Sequence, residues 1–138
     1  MKSLRLNGAH MIRHNVLFKV KAAVNDEQIH AAFQLLYALQ KVLPGFVRMA
    51  AGKCKFFENK GAVERLYGFS IDFEDENAYN TFLNDPVTHP AKAALINIIV
   101  DGYEGIYGFD VGRVIDSYPN PLEKYRTPVP RLLPRGAR

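Results

Sequence analysis

The sequence predicts a single α+β domain of element order β-α-β-β-α-β, built on an antiparallel sheet. Three observations lead there. Residues 12–21 and 63–73 alternate apolar and polar side chains with period two, as half-buried strands do. The stretches that follow Asn25 and Asp75 instead repeat apolar residues at helical spacing. Capping residues, prolines and glycines stand at the joints between these segments.

In the first strand Ile12, His14, Val16, Phe18 and Val20 share one face, and Arg13, Asn15, Leu17, Lys19 and Lys21 the other. Asn25 followed by Gln28 is a capping box, in which each residue satisfies the other's backbone N–H. Ile29, Ala32, Phe33, Leu36, Leu39 and Leu43 continue that helix until Pro44-Gly45 stops it. Residues 46–57 read as a second strand, with a bulge or bend expected at Gly52. Asn59-Lys60-Gly61 is a hairpin turn signal. In the third strand Val63, Arg65, Tyr67, Phe69, Ile71 and Phe73 alternate with Glu64, Leu66, Gly68, Ser70 and Asp72.

Asp75 caps a short helix through Ala78, Tyr79, Phe82 and Leu83 that ends before Pro86. Thr88-His89-Pro90 opens another, because proline in a first turn gives up an N–H that has no helical partner anyway. Ala93, Ala94, Leu95, Ile98 and Ile99 are its apolar positions, and Gly102 ends it. Residues 104–111 form the last strand, thinned by Gly105 and Gly108. The order is the ferredoxin-like arrangement, with helices covering one sheet face. Leu17, Leu66 and Gly68 fall on the other face, which makes a homodimer the expected state.

The 138 residues, 48% apolar, suffice for one core. Residues 11–112 form the expected domain, flanked by an extension over 1–10 and a tail over 113–138 that holds five of the eight prolines. The chain has 18 basic and 14 acidic side chains. Eight of the basic groups and two of the acidic ones lie in residues 1–11 and 113–138, so residues 12–112 are slightly acidic. A nucleic-acid reader carries positive charge on a folded face, so no nucleic-acid partner is expected. No run of about 18 apolar residues is present, so no membrane span is expected. One cysteine, Cys54, excludes an internal disulfide and a cysteine-based zinc site. The expected compartment is the reducing cytoplasm.

The residues that bear chemistry are few. The histidines are His10, His14, His30 and His89, none at metal-ligand spacing, and no glycine-rich phosphate loop is present. Neither a metal nor a cofactor is expected. His14 stands out, because strand parity aims it at the apolar layer beneath the helices. A buried imidazole needs a partner. Two roles are open to it: a satisfied core histidine, or the polar group of a ligand pocket. Tyr67, on the matching face of the third strand, is a candidate partner or second polar group. His89 is either a solvent-facing helix start or a lid.

MIRHNVLFKVK at 11–21, LPGF at 43–46, YGFSIDFED at 67–75, AYNTFLNDPVTHPAK at 78–92 and GIYGFDVG at 105–112 together resemble the stress-responsive A/B barrel (Dabb) domain family. The resemblance implies a dimeric α+β barrel, in which two ferredoxin-like sheets face each other with helices outside. It also implies a small apolar cavity between sheet and helices in each subunit. A plant member of the family cyclises a linear polyketide thioester with a histidine base and a nearby tyrosine. Its first-strand histidine matches His14 without a gap, and its other strand histidine falls at Tyr67. Its tyrosine falls at Phe82, and the segment of its catalytic histidine places Thr88 or Lys92 there. The cyclase chemistry therefore does not transfer; the pocket and His14 do.

The sequence reading is thus a homodimer holding a small apolar or aromatic molecule. The pocket is expected from His14, Val16, Phe18, Phe33, Leu36, Tyr67, Phe69 and Phe82, with His89 at its mouth. His14 is the candidate general base for a lyase, isomerase or cyclase step. The competing reading is a structural or stress-related dimer with a filled core and no ligand.

Overall fold

The computed structural model describes residues 10–55 and 64–112. The strands are β1 (Ile12–Lys19), β2 (Phe46–Lys53), β3 (Leu66–Phe73) and β4 (Tyr107–Gly112), and the helices are α1 (Asp26–Ala38), α2 (Glu76–Asn84) and α3 (His89–Ile98). The sheet is antiparallel throughout, in the order β2-β3-β1-β4. The element order is ferredoxin-like, as the periodicities predict. The predicted hairpin turn at 59–61, the tail over 113–138 and all of the N-terminal extension but His10 lie outside the described residues.

The capping box forms: Gln28 N–H donates to Asn25 Oδ1 at 2.8 Å, and Asn25 N–H to Gln28 Oε1 at 2.9 Å. α1 is shorter than its apolar repeat suggested and tightens into a 3-10 turn at Leu39–Lys41. Asp75 caps α2 by accepting from Ala78 N–H at 2.8 Å. A 3-10 turn at Pro86–Thr88 then leads into α3, which packs on α1.

One face of the sheet and the three helices enclose the core. Phe18, Ile71, Phe73 and Ile99 are fully buried, and Val20 and Leu36 nearly so. Burying each such side chain stabilises the fold by about 1.5–3 kcal/mol. A one-residue register slip would turn a whole strand's apolar set to the other face, so this burial also sets the register.

Several boundaries differ from the sequence reading, and β2 ends at Lys53, short of the expected residue 57. The bulge in β2 falls between Phe46 and Arg48, and Gly52 pairs regularly with Gly68. Arg65 does not extend β3: its φ of 58° is left-handed. Its guanidinium donates to the carbonyls of Val20, Lys21 and Val24, which ties the β1–α1 connection to the start of β3. Gly102–Gly105 is a 3-10 turn, so β4 begins three residues later than expected.

Candidate functional site

Parity along β1 turns His14 towards the helices, together with Val16 and Phe18. The ladder sets two residues beside it, Ile71 on β3 and Asp110 on β4. His14 Nδ1 meets Asp110 Oδ1 at 2.6 Å. From α2, the Tyr79 hydroxyl donates to the other carboxylate oxygen of Asp110. An ionised carboxylate only accepts, so both neighbours are donors, and the proton of neutral His14 sits on Nδ1. Nε2 then carries the lone pair, and it has no protein partner among the described residues. The His14 ring is caged by Phe69, Tyr79 and Phe82 at centroid distances of 6.1, 5.7 and 5.8 Å. Burial, together with the hydrogen bond to Asp110 and its negative charge, pushes the Tyr79 phenol up to about 12.

A cavity of about 420 Å³ opens between the sheet and the helices at His14. Its sheet side consists of His14 and Val16 from β1, Phe69 from β3 and Gly108 from β4. Leu36 of α1 and Phe82 and Leu83 of α2 close another side, and α3 contributes His89, Lys92, Leu95 and Ile96. Tyr103 and Ile106 complete the wall. Lys92 Nζ donates to the carbonyls of Phe82, at 2.5 Å, and Leu83, at 3.3 Å. It also lies 4.5 Å from the Phe82 ring centroid. Burial lowers the Lys92 pKa from the ordinary lysine value.

Of the nine residues proposed from the sequence for the pocket, His14, Val16, Leu36, Phe69, Phe82 and His89 line this cavity. His89 is exposed at its rim. Phe18, Phe33 and Tyr67 are not in its wall. Phe18 is fully buried and packs on the rings of Phe33 and Phe69, at 6.0 and 6.4 Å. Tyr67 stands opposite Phe18 in the ladder. That is four residues along β3 from His14's neighbour Ile71, or about 14 Å at the rise of a strand. Tyr67 is therefore not the partner of His14; Asp110 is. Among the described residues no three His, Cys, Asp or Glu side chains group closely enough to hold a metal ion. No helix among them is long and apolar enough to cross a membrane.

Sequence reasoning missed Asp110, the hydroxyl role of Tyr79, and Lys92. Asp110 was accessible in principle: in a ferredoxin-like sheet the last strand pairs with the first, and Asp110 shares the parity of the cavity-lining Gly108.

The family model of the stress-responsive A/B barrel domain matches residues 12–114. Among solved structures, a dimeric ferredoxin-like protein of unknown function from Jannaschia sp. CCS1 is 28% identical, with a TM-score of 0.63 over 73% of this chain and 97% of that one. The hydroxynitrile lyase from Passiflora edulis is 14% identical, with a TM-score of 0.63 over 80% of this chain and 99% of its own. SnoaB, a cofactor-independent oxygenase from Streptomyces nogalater, is 18% identical, with a TM-score of 0.60 over 81% and 100%. These two share the fold with this chain. No curated protein matches the sequence.

Proposed function

The chain belongs to the stress-responsive A/B barrel domain family, and from that premise we propose that it is a homodimer that binds a small apolar or aromatic molecule between sheet and helices, with His14 acting on that molecule as a general base. The observation that carries the reading is the placement of His14. It stands in an apolar wall, with Asp110 holding Nδ1 and no protein group on Nε2 among the described residues. Pockets of this kind, apolar with a few convergent polar groups, are the usual small-molecule sites. An imidazole with its Nδ1 proton held by a carboxylate presents the Nε2 lone pair as a proton acceptor. Proton removal is the opening step of many lyase, isomerase and cyclase reactions, so the reading names a step rather than a substrate.

The dimer is supported by the outer face of β4. Tyr107, Phe109 and Val111 are 72%, 62% and 44% exposed there, more apolar area than a solvated strand keeps. The Jannaschia relative is itself dimeric.

The test compares wild type with His14→Ala against a set of small aromatic and aliphatic ligands, by NMR titration and thermal melts. Ligands that bind wild type should lose about tenfold or more in affinity, the worth of one hydrogen bond to a polar ligand atom. The melting temperature should fall by no more than about 4–8 °C, the equivalent of 1 kcal/mol in a domain of this size. A large fall with no ligand response from either protein would overturn the proposal and leave the filled-core structural dimer.

A further inference from the structure

The ionisable side chains that line the cavity are unusual in sign. Among the described residues, His14, His89 and Lys92 are basic, Tyr103 adds a phenol, and no carboxylate lines the cavity. Composition does not explain this, because residues 12–112 hold more acidic than basic side chains. The nearest carboxylate to His14, Asp110, is already engaged by His14 and Tyr79. Lys92 is also held in place. Two of its three N–H donors go to the carbonyls of Phe82 and Leu83, in the last turn of α2. The third has no acceptor among the described residues.

We propose that the ligand bears an anionic oxygen, a carboxylate or phenolate on an apolar frame, and that Lys92 is the group that holds this oxygen. The inference rests on the reading of the cavity as a binding site and specifies what that site selects. An ammonium with two donors fixed by backbone carbonyls is oriented before the ligand arrives, so little rotamer entropy is lost on binding. Charge-assisted hydrogen bonds to oxyanions are about twice as strong as neutral ones. The half-buried cation faces no carboxylate in the cavity wall among the described residues, and burial already disfavours its charge. An anion in the cavity supplies the missing counter-charge. Phe82 neighbours both groups, with its ring 5.8 Å from that of His14 and 4.5 Å from Lys92 Nζ. Base and cation therefore border the same cavity on either side of contacts with one ring.

The experiment titrates benzoate and its neutral isostere benzamide into wild type, Lys92→Met and Lys92→Gln, following the methyl NMR signals of Val16, Leu36 and Leu95 around the cavity. Wild type should bind benzoate about tenfold or more tightly than benzamide, as a charged hydrogen bond requires. Both variants should lose that preference and retain the benzamide affinity. Equal affinity of wild type for the two probes, or a preference that survives in either folded variant, would refute the anion site and leave the cavity reading standing. If neither probe moves the cavity methyls of wild type, the cavity reading fails and Lys92 has no ligand role.

Discussion

The two nitrogens of His14 have different surroundings, and the difference originates in the ladder. Nδ1 is occupied by Asp110, a residue 96 positions away that only sheet register brings alongside, and Nε2 is left for the cavity. Tyr79 completes the arrangement from the helix side, and its phenol reports on it. Its pKa is raised from 10.0 to about 12 in the folded protein. Below pH 10 the phenol is protonated in both folded and unfolded chains, and its contribution to stability is complete. Between pH 10 and 12 the unfolded chain gives up the proton first, so stability falls as pH rises. Lys92 acts in the opposite sense, since its lowered pKa makes the unfolded chain the better proton binder and stability rises towards pH 10.5. The two are separated by substitution. Melting curves of Tyr79→Phe should fall less steeply across pH 10–12 than those of wild type. Identical slopes would mean that the phenol is not held by Asp110.

At the scale of elements, legibility followed locality. β1 and β3 were readable because alternation is a property of neighbours in sequence, and α1 and α2 because Asn25 and Asp75 cap within three residues. Arg65 was misread because a strand-period arginine looks the same whether it sits in a ladder or folds back on carbonyls. Its left-handed backbone follows from contacts with Val20 and Val24, which are distant in sequence. Asp110 and Lys92 were missed for a related reason: each looks like a solvated charge until the fold sets Asp110 beside His14 and Lys92 against the last turn of α2. Six of the thirteen residues of the cavity wall were legible, and the groups that tune the site were not. β4 combines both aspects, with Asp110 at the site on one face and Tyr107, Phe109 and Val111 exposed on the other. Covering that face with a second copy removes apolar area from water, the main drive for association. Sedimentation at micromolar concentration should give twice the 15.6 kDa chain mass. Phe109→Glu should sediment as a folded monomer with unchanged helical signal. A wild-type monomer, or an undisturbed Phe109→Glu dimer, would remove β4 from the interface.

For the whole molecule, one sheet has two separate uses. Its inner face buries Ile71 and Phe73 beside His14 and Phe18 farther along β1, and it leaves a cavity at His14. Its outer face is polar at one end, where Asp72, 2% exposed, accepts from both Arg13 and Arg48. A fully packed core would have been the more stable design, since each absent contact forfeits dispersion energy. The cavity beside an oriented imidazole is therefore the feature on which the binding reading turns. The direct test is a crystal structure of the purified protein soaked with small aromatic ligands. The account predicts density in the cavity, with a polar ligand atom within hydrogen-bond reach of His14 Nε2. A cavity closed by Leu36, Phe82 and Leu95, with no density in any soak, would contradict it.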